Sequence, residues 1–159
     1  MSQDLHHHSH APARPTELLD HAEQVCRERG LLLTPLRRRV FEALAGSGAP
    51  LGAYDLVERL GRERRIAPIS VYRALDFLIE AGLIHRIATR NSYLPCHHSH
   101  APHETTVFLV CTRCGGVDEV ASPEVARGID GTANAAGFRA DRGSVEIAGE
   151  CRSCRAELA

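Results

Sequence analysis

Two C-x2-C pairs, Cys111 with Cys114 and Cys151 with Cys154, are the residues whose type and spacing speak most directly of chemistry. Each pair presents two thiolates from a tight knuckle, and four thiolates together make a closed tetrahedral zinc site. A C-x2-C pair can instead carry redox chemistry, but two of them in one short stretch, with no βαβ pattern around them, favour structural zinc. Between Cys114 and Cys151 lie 36 residues, too many for a compact finger, so ordered elements must fill the gap. The sequence offers a strand in "GGVDEVA", a helix starting at Pro123 and a strand in "SVEIAG". "VFLV", just before the first pair, alternates too little for a half-solvated strand and reads as buried. With both pairs committed to one closed site, no open catalytic zinc is evident, which weighs against a zinc enzyme such as a nucleobase deaminase.

A second concentration of soft ligands lies in "SYLPCHHSHAPHETTVFLVCTRC", residues 92–114, which holds three of the six cysteines and four of the ten histidines. Cys96 is followed by His97, His98, His100 and His103; His85 precedes it, and Glu119 follows the first knuckle. A site made from His85, Cys96, a connector histidine and Glu119 would draw ligands from both halves of the chain. It would fix the angle between them and would exist only with metal bound. A thiolate among imidazoles suits zinc better than the harder ferrous ion. The bland alternative is a polar linker that happens to be rich in histidine. Cys26 falls on an apolar helix face and reads as a small core residue, while His6, His7, His8 and His10 suggest no role.

The elements that must position these residues can be read in turn. "ELLDHAEQVCRERG" places Leu18, Leu19, Ala22, Val25 and Cys26 on one helical face and stops at Gly30. Thr34 and Pro35 are an N-cap and first-turn residue for a helix carrying Leu36, Val40, Phe41 and Leu44. "GSGAPLG" ends it, and "AYDLVERL" begins another. "ISVYRALDFLIEAG" is a further helix, with Val71, Ala74, Leu75, Leu78 and Ile79 inward and Gly82 as its stop. The runs "LIHRIA" and "SYL", parted by "TRN", read as a hairpin. This order is that of a winged helix-turn-helix, whose last helix enters the major groove while the hairpin grips the neighbouring backbone. Ser70, Tyr72 and Arg73 lie opposite the core stripe of that last helix, where a guanidinium can pair with a guanine edge and hydroxyls can hold phosphate. A helical bundle with an exposed arginine would show the same stripe.

Charge supports the division. Residues 27–90 carry 12 arginines against 7 acidic residues, whereas residues 91–159 carry 6 against 9. The first half is thus fitted to a polyanion. No run of 18 apolar residues is present, and "MSQDLHHHSHAPARP" is no secretory leader. The expected compartment is the cytoplasm, where thiols stay reduced and serve metals better than disulfides.

Together these residues resemble the ferric-uptake-regulator (Fur) superfamily, and within it the zinc uptake regulator (Zur) branch. The segments that carry the resemblance are "LTPLRRRVFEAL", "GAYDLVERL", "PISVYRALDFLIEAGLIHRI", "NSYLPCH", "VFLVCTRCGGVDEV" and the final "CRSC". The resemblance implies an α+β chain, with an N-terminal winged helix-turn-helix followed by a small α/β dimerisation domain. It implies a homodimeric, zinc-responsive repressor of zinc-uptake genes on a palindromic double-stranded operator, with no membrane or small organic substrate as partner. The matching boundaries are a His-rich disordered tail over 1–15, a winged-helix domain over 16–94, a ligand-bearing hinge over 95–104 and a dimerisation domain over 105–159. Two zinc ions per subunit follow. Cys111, Cys114, Cys151 and Cys154 match the structural ligands; His85, Cys96 and Glu119 match three regulatory ones. At the fourth regulatory position, counted back from Cys111, the chain has Glu104; His103, one residue earlier, takes the place, with His97 and Glu104 as substitutes. Tyr54 and Arg73 match positions that contact bases. A regulator of the same superfamily answering iron, manganese or peroxide is the alternative, and Cys96 speaks against the iron branch.

Overall fold

Helical periodicity in the first half becomes four helices in the computed structural model, which describes residues 14–62, 65–97, 105–140 and 143–156. They are α1 (Pro15–Glu28), α2 (Pro35–Ala45), α3 (Ala53–Gly61) and α4 (Pro68–Glu80). Proline opens three of them, where its missing N–H removes no helical bond. Thr34 Oγ1 accepts from the Arg37 amide at 3.5 Å, and the Asp55 carboxylate accepts from the Gly52 amide at 3.0 Å, so α2 and α3 begin under side-chain control. Gly30 and Gly82 follow α1 and α4 with φ of +63° and +71°, the left-handed stop expected of them. The inward faces meet in one core centred on Phe41, Leu44, Leu56, Leu75 and Leu78. Cys26 is sealed in it, and burial pushes its thiol pKa up, as suits a core residue. Ile79, expected inward, is half-buried.

The wing is the hairpin β2 (Ile84–Ile87) and β3 (Ser92–Pro95), antiparallel with His85 opposite Leu94. A single 3-10 turn, Ala88–Arg90, joins them, and Asn91 closes it at φ +46°, a conformation asparagine tolerates better than most residues. A two-residue strand, β1 (Leu51–Gly52), pairs with the other side of β3. The sequence showed only a helix stop there, because two residues are too few to display a period.

The second sheet holds β4 (Thr106–Cys111), β5 (Val117–Ala121) and β6 (Ser144–Gly149) in the order β5-β4-β6. β5 is antiparallel to β4, and β6 returns parallel to it after α5 (Pro123–Ala135); a short α6 (Arg152–Ala156) follows. One face of this sheet buries Phe108 and Val110 against Ile87 and Leu94 of the wing. The other is more open than "VFLV" suggested: Leu109 is 41% exposed, beside Val120 at 38% and Ile147 at 50%, and α5 has no buried residue. The chain is therefore α+β, a winged helix followed by a small α/β unit. Among the described residues no helix is long and apolar enough to cross a membrane.

Candidate metal centres and nucleic-acid interface

The four C-x2-C cysteines converge because β4 and β6 run parallel and in register. Cys111 is opposite Gly149, so the two strands end side by side and their knuckles meet. The four sulfur atoms lie within 4.8 Å of one another, with Cys114 and Cys151 3.8 Å apart. The left-handed Gly115, φ +78°, allows the first knuckle to turn back. Backbone N–H groups aim at the sulfurs: Cys151 donates to Cys111 at 3.4 Å, Gly116 to Cys114 at 3.4 Å, and Cys154 to Cys151 at 3.5 Å.

Hydrogen bonds and burial push the thiols of this cluster in opposite directions. Donation from the Cys114 backbone first, and from that of Cys151 next, holds the Cys111 thiol down at about 6 despite its burial. Cys154 is pushed up to about 12, chiefly by its contact with the Cys151 sulfur and then by burial. Four sulfurs this close cannot all ionise without a cation among them. A thiophilic dication meets that need, and four thiolates within one small sphere fit zinc.

The second expected cluster is assembled from elements far apart in sequence. His85 comes from β2, Cys96 directly follows β3, and Glu119 comes from β5. Their ligand atoms also lie within 4.8 Å of one another, with His85 Nε2 3.5 Å from Glu119 Oε1. The Cys96 amide donates to the Leu83 carbonyl at 2.9 Å, extending the hairpin and holding the thiol at the domain junction. The Phe108 ring, 5.1 Å from the His85 imidazole between centroids, backs the group with an apolar wall. Imidazole, thiolate and carboxylate form a donor set suited to zinc. His97 is exposed and stands outside this group. His98, His100, His103 and Glu104 lie outside the described residues, as do the N-terminal histidines.

On the outward side of α4, Tyr72 and Arg73 are exposed as expected, and Tyr54 at the start of α3 is almost fully so. Ser70 is half-buried, less available than the sequence suggested. Ile69 is 58% exposed and was missed, since an apolar residue beside an apolar stripe carries no signal of exposure. An aliphatic group there is suited to a thymine methyl.

Residues 28–148 match the Ferric uptake regulator family. The chain belongs to this family. It is 37% identical over 139 residues to the zinc uptake regulation protein of Escherichia coli K12, a match covering 87% of this chain and 81% of that protein. The solved structure of a zinc uptake regulator complexed with zinc and DNA superposes with a TM-score of 0.84 at 35% identity, over 91% of this chain and 98% of that one. A second solved structure, apo XcZur, is also 35% identical and covers 89% of this chain and 98% of its own, yet gives a TM-score of only 0.53. The family member described here thus superposes better on the zinc- and DNA-bound relative than on the apo one.

Proposed function

We propose that this family member is a zinc-responsive DNA-binding repressor of zinc-uptake genes, acting in the cytoplasm as a homodimer on a palindromic operator. The observation that carries the reading is the His85–Cys96–Glu119 cluster, whose three donors come from the wing, the connector and the second sheet yet lie within 4.8 Å. The proposed boundaries are those expected: a tail over 1–15, a winged helix over 16–94, a hinge over 95–104 and a dimerisation domain over 105–159. Two zinc ions per subunit are proposed. Cys111, Cys114, Cys151 and Cys154 would hold the structural one; His85, Cys96, Glu119 and His103 would hold the regulatory one.

Zinc bound at the regulatory site would supply a concentrated positive charge that stabilises thiolate, imidazole and carboxylate side by side. His85 and Glu119 would both hold it, so the wing and the second sheet would keep one relative orientation. Cys96 holds the connector against both. Within the head, α4 presents Arg73 and Tyr72 to base edges and α3 presents Tyr54, while Ser70 is fitted to the backbone. Leu109, Val120 and Ile147, with the open side of α5, offer the apolar surface on which a second copy would close, setting two heads at a fixed spacing. The family consists of transcription regulators, and no catalytic role is proposed.

The test is a zinc titration of protein holding only its cysteine-cluster metal, read as binding to an inverted-repeat duplex, with ferrous iron and manganese in parallel. Binding that appears with zinc at buffered sub-micromolar levels supports the reading. A response to iron or manganese instead moves the protein to another branch of the family, and no metal response removes the regulatory assignment.

A further inference from the structure

Glu119, Phe108 and Glu146 stand directly opposite one another across β5, β4 and β6. Paired residues of a sheet project from the same face, so they form one row, and that row faces the wing. Its centre, Phe108, is fully buried against His85. At the β5 edge, Glu119 meets His85 within the candidate regulatory site. At the β6 edge, the Glu146 carboxylate accepts three hydrogen bonds from the wing turn. Ala88 N–H donates at 2.6 Å, Thr89 N–H at 3.0 Å and the Thr89 hydroxyl at 2.5 Å. The next residue, Arg90, donates from Nη1 to the Cys111 carbonyl at 3.2 Å. Its guanidinium also occupies the space beside Gly115, where an added Cβ would lie 3.1 Å from Nη2. The contacts of Glu146 and of Arg90 use no side-chain donor atom of either metal cluster.

We infer that Glu146 and the 88–90 turn form a second, metal-independent anchor between head and sheet, and that this anchor is the pivot about which the head turns. Three charge-assisted bonds from one short turn fix a point, not merely a distance. Two anchors on opposite edges of a three-stranded sheet hold a rigid head against rotation about the central strand. One anchor leaves that rotation free while keeping the head attached. Opening the regulatory site therefore swings the head about Glu146 and does not release it. Glu146 is a positioning residue, touching neither the expected metal ligands nor the DNA-facing side of α4. The inference rests on the zinc-responsive reading for its link to operator binding, but not for the anchor itself.

Amide hydrogen exchange on the full-length protein tests it, with the cysteine cluster loaded and the regulatory site either zinc-saturated or emptied by a buffered chelator. In the unaltered protein, residues 88–89 are expected to stay protected in both states, while the amides around His85 and Cys96 lose protection when zinc is withdrawn. Glu146→Ala should expose residues 88–89 in both states and weaken zinc-dependent operator binding roughly 5-fold or more, the lower end of ordinary allosteric coupling. Zinc content and dimerisation should be unchanged, and Glu146→Gln should recover part of the affinity. If the unaltered protein loses protection at 88–89 together with the regulatory zinc, or if Glu146→Ala changes neither exchange nor affinity, the anchor is overturned. Should Glu146→Ala fail to fold, Thr89→Val and Glu146→Gln carry the same readouts, each removing part of the bond set. Absence of any zinc response in the unaltered protein overturns the functional reading instead, while the exchange data still decide the anchor.

Discussion

Both candidate metal clusters bring their donor atoms within 4.8 Å of one another, but they stand in opposite relation to the fold. The cysteine cluster lies wholly within the second unit, where it ties the end of β4 to the end of β6, and backbone amides already point at its sulfurs. The His85–Cys96–Glu119 cluster joins two sheets that share no backbone ladder, the β2–β3 hairpin supplying His85 and Cys96 and β5 supplying Glu119. Metal at the first would brace an end that Thr112 and Arg113 already tie down through the Gly149 and Cys154 carbonyls. Metal at the second would hold the wing, the connector and the second sheet in one arrangement. The same ion can therefore serve as a staple in one place and as a signal in another, according to whether its ligands come from one rigid body or two.

The comparison is broken most severely by Cys111→Ser. Structural zinc contributes about 10–16 kcal/mol in small zinc-dependent folds, as large as the entire stability of an ordinary domain, about 5–15 kcal/mol. The variant is expected to lose its cysteine-cluster zinc, melt early and fall to monomer, as read by metal analysis, thermal melting and sedimentation. Cys96→Ser should leave fold, dimer and cysteine-cluster zinc intact while erasing the zinc dependence of operator binding, a loss of roughly 5- to 150-fold in affinity at saturating zinc. If that variant also loses the structural metal, the two clusters are not independent and the contrast fails. Arg73→Ala sharpens the contrast from the other side. It should lower specific operator affinity by about 1–3 kcal/mol without changing either zinc, measured by duplex titration alongside metal content.

The smallest effect concerns pH. Burial works to raise the Glu146 pKa, but bonds from the Thr89 hydroxyl and from the Thr89 and Ala88 amides outweigh it and set the pKa below the ordinary 4.5. A carboxyl whose folded pKa is depressed contributes stability above its unfolded value and loses it as pH falls through the folded one. The carbon-13 shift of the Glu146 carboxyl should therefore titrate with a midpoint under 4.5, and in Thr89→Val the midpoint should move upward. A midpoint at or above 4.5 would show that the wing turn does not hold the carboxylate.

Much of the helical head was legible because its information is local. The stripe through Val40, Phe41 and Leu44, the Thr34–Pro35 start and the Gly30 and Gly82 stops each report on a few neighbouring residues, and all appear in the structure. Where the signal was too short or one-sided, it failed. The two residues of β1 have no period, the short α6 overlaps the last knuckle at Cys154, and nothing in the type of Ile69 marks it as exposed. Leu109 was read as buried with its neighbours in "VFLV", because consecutive apolar residues do not say which face a sheet covers.

By itself the sequence determined the ligand types, their pairing into knuckles, the helix order of the head and the charge that suits it to DNA. These depend on side-chain chemistry and on spacings of a few residues. Only the tertiary structure decided that Glu119 and Glu146, 27 positions apart, flank Phe108 in one row, with one set against His85 and the other gripping Thr89. That outcome follows from the parallel register of β4 and β6 and from which face of their sheet meets the wing. Pairing register and interface choice are properties of the assembled chain. No local pattern around either glutamate encodes them.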